Sequence, residues 1–151
     1  MFGAMIGDIA GSRFEGKFNI PKDFELVTEK CHFTDDTVQT LAIAKAIKEH
    51  RETGEPLKDL AIKYLQELGR RYLWCGCGDM FYKWLFKSEP QPYGSYGNGA
   101  IMRISPCAHF AHSLEQALDY AEIVTSVTHN TDEAVRAAKG VTTAIWLARH
   151  G

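Results

Sequence analysis

An all-α fold is what this sequence predicts, and three features predict it. Apolar residues recur at helical spacing over long stretches, as in Leu57, Leu60, Ala61, Tyr64, Leu65, Leu68 and Tyr72. Residues suited to capping a helix precede several such stretches: Thr34, Ser113 with Gln116, and Asn130 with Glu133. No segment carries a persuasive strand pattern, and there is no internal repeat, low-complexity tract or linker. The expectation is one all-α domain over residues 1–151, or part of one.

The elements follow in order. Met1 to Gly11 reads as a short helix whose Gly3, Gly7 and Gly11 share one face and would let another backbone come close. Asp8, inside that helix, reads as a buried, hydrogen-bonded structural carboxylate. Lys17 to His32 has no sustained period and reads as a loop between two candidate site motifs, placed to act as a lid. Asp35 to about His50 is a core helix, apolar on nearly every side, that ends before Gly54 and Pro56. A second long helix runs from Leu57 to about Tyr72, with Gly69 favouring an early end. Trp74 to Gly78 is a turn, and Asp79 is placed to cap a short helix carrying Phe81, Trp84 and Leu85. Ser88 to Pro92 breaks that helix. A glycine loop, Gly94 to Gly99, opens onto a helix from Ala100 that Pro106 should kink or break. The Ser113–Gln116 box starts a helix bearing Ala117, Leu118, Ala121, Val124 and Val127. Asn130 with Glu133 starts the last one, along Ala134, Ala137, Ala138, Val141, Ile145 and Ala148.

Composition narrows the function. With 17 basic and 19 acidic residues among 151, the net charge is -2, which offers no basic face for nucleic acid or an anionic membrane. No apolar run approaches the about 18 residues of a membrane span. No secretion signal is evident. Cys31, Cys75, Cys77 and Cys107 therefore read as reduced thiols of a cytoplasmic protein rather than a disulfide framework. Cys75 and Cys77 are too close in sequence for the usual zinc spacing, even with His109 and His112 as partners.

Three stretches carry chemistry. Thr34, Asp35 and Asp36 place three hard oxygen donors at the start of a helix, a set suited to Mg²⁺. The plainer reading is an acidic first turn facing the helix dipole. Glu15 follows Phe14, where partial desolvation would suit it to acid–base work; a solvated loop carboxylate is the plainer and, on residues alone, the favoured reading. Gly94, Ser95, Tyr96, Gly97, Asn98 and Gly99 could present backbone N–H groups to a diphosphate, or form an ordinary turn. His129, in a helix connection, reads as a structural hydrogen-bond partner.

Four motifs, taken together and in this order, resemble the ADP-ribosylglycohydrolase family: Gly7-Asp8-Ile9-Ala10-Gly11-Ser12-Arg13-Phe14-Glu15, Phe33-Thr34-Asp35-Asp36-Thr37-Val38, Gly94 through Met102-Arg103, and Thr128-His129-Asn130. The resemblance implies an orthogonal multi-helix fold and a metal-dependent hydrolase that removes ADP-ribose from modified proteins or related adducts. It implies two Mg²⁺ or Mn²⁺ ions in a complete site, with Thr34, Asp35 and Asp36 as ligands and Glu15 as the catalytic carboxylate. It assigns Gly94, Ser95, Tyr96, Gly97, Asn98, Gly99, Met102 and His129 to ligand binding. Ser95 stands where the branch acting on arginine-linked ADP-ribose tends to carry aspartate, which points to an oxygen-linked substrate.

One departure bears on all of this. Family members are much longer, and their C-terminal part carries a second acidic motif, roughly Asp-x-Asp-Thr, that completes the metal site. Two ions roughly 3.5–4 Å apart need ligands from more than one side. The expectation is thus a C-terminally truncated domain with three explanations: a fragment, the product of a truncated gene that no longer catalyses, or one half of a site that a second chain completes. Two other functions stay open: a non-catalytic ADP-ribose-binding module and a crystallin-like structural protein.

Overall fold

The computed structural model describes residues 1–151 and contains helices and turns with no strand. The α-helices are α1 (Phe2–Gly11), α2 (Asp35–Thr53), α3 (Leu57–Arg71), α4 (Asp79–Leu85), α5 (Gly99–Met102), α6 (Ser105–Phe110), α7 (Leu114–Ser126) and α8 (Asp132–His150). Short 3₁₀ turns cover Ser12–Phe14 and Leu73–Cys75. No helix is long and apolar enough to cross a membrane.

Helix α2 is the central element. Its Ala42, Ile43, Ala46 and Ile47 are fully enclosed, with α3 along one side and α6 on another. Thr34 caps it as expected, its Oγ1 accepting from Asp36 N–H at 3.3 Å. The helix runs past His50 to Thr53, and Gly54 closes it by donating to His50 O at 2.9 Å. Helices α7 and α8 form the opposite wall. One core cluster joins them, from Ile43 and Leu60 through Trp84 and Ile104 to Val124 and Ala138.

Several boundaries differ from the sequence expectation, each for a local reason. The break expected at Pro106 is present and falls just before it. α5 ends at Met102, and Pro106 lies in the first turn of α6, where a missing N–H costs no intrahelical bond. Thr131, not Asn130, caps α8 by accepting from Ala134 N–H at 3.2 Å. Asn130 is used elsewhere. Asp79 is the first helical residue of α4 rather than its cap, a position held by Gly78. Ser113 caps α7 by accepting from Gln116 N–H, while the Gln116 side chain accepts from His112 N–H instead of returning to Ser113. Gly69 does not shorten α3; its bare Cα admits the buried Leu85 side chain.

The segment between α1 and α2 is a loop, as read. Arg13 fastens it, donating to Thr28 Oγ1 at 2.8 Å and to Glu25 O, with its guanidinium over the Phe14 ring at 4.6 Å. Asp8 joins α1 to α2 directly. Its carboxylate accepts from Thr34 N–H (2.9 Å), Thr34 Oγ1 (2.7 Å), Thr37 N–H (3.1 Å) and Thr37 Oγ1.

These contacts set two expectations for unfolding experiments. An ideal Cβ on Gly69 falls 2.5 Å from Leu85 Cδ2, whereas Gly140, inside α8, has nothing within 4 Å. Gly140→Ala should therefore raise stability by up to about 1 kcal/mol, the helix-propensity gain. Gly69→Ala gains the same term but overpacks an enclosed site at a cost of about 1–3 kcal/mol, so the net should be a loss. Urea denaturation of both variants checks the opposite signs. Asp8→Asn turns two acceptor oxygens into one acceptor and one donor facing four donors, and should cost about 2–3 kcal/mol given the strength of hydrogen bonds to charged groups.

Candidate functional site

A cleft of about 290 Å³ lies between α2, α4, the glycine loop and the α7–α8 connection. Asp35, Ser95, Gly97, Asn98, Gly99, Met102 and His129 line it, all residues singled out in the sequence. Gln39, Gly78, Asp79, Met80, Phe81, Tyr93 and Arg103 complete the wall. The volume is at the small end of the roughly 300–1,000 Å³ typical of ligand pockets. A dinucleotide-sized ligand would be held in part here and in part outside.

Glu15, Thr34, Asp36, Gly94 and Tyr96 do not line this cleft. Glu15 is exposed, just past the Ser12–Phe14 turn. Tyr96 is 80% exposed and lines a separate groove with Asn98, Ala100, Glu133 and Ala137. Thr34 is buried, with its hydroxyl proton committed to Asp8. Its oxygen accepts from Asp36 N–H, which leaves one lone pair free.

The acidic end of the site is electrostatically uncompensated. Asp35 is pushed up to about 6 by burial first and by the neighbouring Asp36 charge second, with Glu15 and Asp8 adding to it. Asp36 is raised by burial, then by Asp8 and Glu15. None of these four carboxylates forms an ion pair with a lysine or arginine. Hard oxygens carrying excess negative charge suit a divalent cation, so the donor chemistry fits Mg²⁺ or Mn²⁺. No three His, Cys, Asp or Glu side chains converge in metal-binding geometry. Thr34, Asp35 and Asp36 stand together at the start of α2 as three oxygen-bearing side chains.

The glycine loop is anchored at its start and packed against His129 at its end. Gly94 is left-handed (φ +61) and donates to Asn130 Oδ1 at 3.1 Å, while Tyr93 N–H donates to Thr128 O at 3.1 Å. Ser95 Oγ accepts from Gly97 N–H at 3.1 Å. At Gly99 an added Cβ would stand 3.1 Å from His129 Cε1, so the bare backbone is what lets the imidazole lie against the loop. The loop feeds α5, a single turn, so attraction for an anion would come from individual N–H groups more than from a helix dipole.

Two residues that the sequence gave no reason to single out join the acidic end to the loop. Arg103 is 0% exposed and Gln39 is 3% exposed. Gln39 Nε2 donates to Asp35 Oδ2 at 2.9 Å, and Gln39 Oε1 accepts from Arg103 Nη1 at 2.8 Å. Arg103 Nη2 donates to Thr128 Oγ1 at 2.6 Å and to Val124 O at 3.3 Å. Thr128 Oγ1 then lies 2.7 Å from His129 Nδ1. The Met-Arg pair at the end of the glycine motif is the one signal in sequence that could have flagged Arg103.

Burial, and next the Arg103 charge, lower His129 to about 4. An unfolded histidine takes up a proton near about 6.5. Between those two values the unfolded chain binds the extra proton, so this residue costs stability as pH falls from about 6.5 toward 4. His129→Gln removes that cost. The stability of the variant relative to the parent chain should rise on acidification across this window, as read by denaturation at pH 7 and near pH 4.5.

Comparison with known proteins agrees with the motifs and the helical architecture. The chain is similar to an "ADP-ribosylhydrolase ARH3" from Xenopus tropicalis, 27% identical over 153 residues, which covers 85% of this chain and 43% of that relative. The chain thus spans less than half the length of that relative. No solved structure matches it. The family model for ADP-ribosylglycohydrolase matches residues 1–151, and the chain belongs to that family.

Proposed function

We propose that this chain carries the ADP-ribose cleft and one face of the divalent-metal site of a hydrolase that removes ADP-ribose from modified proteins. One observation supports this above the others. Asp35, at the acidic end, shares a single cleft with the Gly97–Gly99 backbone and His129. An acidic metal face beside a glycine loop is what a ligand with ribose hydroxyls next to a diphosphate would require.

Thr34, Asp35 and Asp36 would hold Mg²⁺ or Mn²⁺, which when bound supplies Lewis-acid polarisation at the reacting centre. The loop and His129 would fix the diphosphate and adjoining ribose, and Met102 would pack against the ligand. Glu15 would take a proton from the attacking water. The water oxygen bonds to the anomeric carbon while the bond to the modified side chain breaks, and the departing group takes up a proton. Ser95 favours an oxygen-linked adduct. The second metal face would come from a C-terminal segment or a partner chain, and reduced thiols fit a cytoplasmic setting. The uncompensated charge on Asp35 and Asp36 favours this reading over a crystallin-like structural role. A binding module without turnover would share the cleft and lack the reaction.

Titration calorimetry of ADP-ribose against the 151-residue chain tests the reading, first with Mg²⁺ and then with EDTA. Binding that EDTA weakens is expected. Absence of heat in both buffers would remove the cleft as an ADP-ribose site in this chain. Where an assembly with turnover is available, Asp35→Asn and Asp36→Asn should each abolish the metal-dependent rate.

A further inference from the structure

Thr128 sits between two groups whose hydrogen-bonding roles constrain its own. A guanidinium has donors and no acceptor, so Thr128 Oγ1 accepts from Arg103 Nη2. The threonine has one proton to give. The carbonyl one helical turn back, Thr125 O, already accepts from Thr128 N–H (3.2 Å) and His129 N–H (2.9 Å). Tyr93 also lies beside Thr128, but the hydrogen bonds that Thr128 Oγ1 makes are the short ones to Arg103 Nη2 (2.6 Å) and His129 Nδ1 (2.7 Å). The remaining neighbour is His129 Nδ1 at 2.7 Å.

If Nδ1 accepts that proton, a neutral imidazole must carry its own hydrogen on Nε2. The reverse arrangement would aim Nδ1–H at an oxygen already taking a hydrogen bond from a cation, and would leave the threonine proton without an acceptor. The Nε2 side faces the loop: a Cβ on Gly99 would meet Nε2 at 3.3 Å and one on Gly97 at 3.9 Å. His129 also lines the cleft. Arg103 is held in its orientation from the other side by Gln39 and Val124 O, so the direction of the whole chain of bonds is set from within the core.

We propose that Arg103, acting through Thr128, is a positioning residue that fixes His129 as the Nε2–H tautomer, so that it offers a hydrogen-bond donor to an acceptor oxygen of the ligand in the cleft. The ligand part of this rests on the function proposed above; the tautomer part does not. Burial, and next the nearby guanidinium charge, keeps the imidazole neutral, so the donor is the same group throughout the physiological pH range.

Long-range ¹H–¹⁵N correlation on the ligand-free, ¹⁵N-histidine-labelled chain at pH 7 reads the tautomer directly. His129 is assigned by the signal lost in His129→Gln. The expected pattern has Nδ1 unprotonated and Nε2 protonated. Thr128→Val is nearly isosteric and should keep the helical circular dichroism while turning that pattern into a tautomer mixture. A folded Arg103→Lys chain, which keeps the charge but not the fork, should do the same; if that chain does not fold, Thr128→Val decides. An Nδ1–H pattern in the parent chain, or an unchanged pattern in Thr128→Val, overturns the proposal. A separate ADP-ribose titration of Thr128→Val should show affinity weakened roughly ten-fold, the size of one ordered hydrogen bond. Loss of ADP-ribose binding in the parent chain would sink the proposed function and leave the spectroscopic result to judge the tautomer.

Discussion

A positive charge enclosed in a helical core constrains everything around it. Arg103 has no carboxylate in direct contact, and burial lowers it to about 10. Its protons must therefore find neutral acceptors, and two regions supply three of them to the Nη groups: Gln39 from α2, and Val124 O from α7 with Thr128 just past its end; Nε–H has no partner. Removing one of these acceptors would cost about 1–3 kcal/mol, the desolvation penalty of a buried donor left without a partner. The relative placement of α2, α5 and α7 is thus fixed by a polar requirement as well as by the apolar cluster of Ile43, Ile104 and Val124. Gln39 also donates to Asp35 Oδ2, which ties this network to the acidic end of the cleft.

That arrangement explains why a helix with so apolar a middle begins with so polar a first turn. Thr37, Gln39 and Thr40 are all buried in α2, yet each has a partner: Asp8, Asp35 with Arg103, and Met102 O. Downstream, Ala42, Ile43, Ala46 and Ile47 need none. The same helix thereby builds a core at its C-terminal end and a wall of the cleft at its N-terminal end. Asp8 performs the matching task from α1, orienting Thr34 and Thr37 so that the two acids between them are presented together.

What was legible in the sequence was local. Thr34 as cap, the stripe along α3 and the start of α7 at Ser113 each depend on residues within a turn or two of one another. The choice of Thr131 over Asn130 was not legible, because Asn130 is drawn to Gly94, 36 residues earlier. Gln39 and Arg103 escaped for the same reason. Glutamine and arginine are ordinarily surface residues, and their partnership spans 64 positions. The resemblance to a family grouped Glu15, Thr34, Asp36, Gly94 and Tyr96 with the cleft residues, yet in this chain all five stand outside the cleft wall. Seven others it named do share that wall.

The fastening of the glycine loop links ligand and scaffold energetically. Gly94 and Tyr93 hang from Asn130 and Thr128, the residues that connect α7 to the first turn of α8. Fluctuations that open the loop must loosen this junction, and fraying of α8 from its N-terminus loosens the loop. The two segments behave as one cooperative opening unit, with a shared local unfolding free energy. A molecule resting on the loop would slow amide exchange along the beginning of α8 as well as in the loop itself.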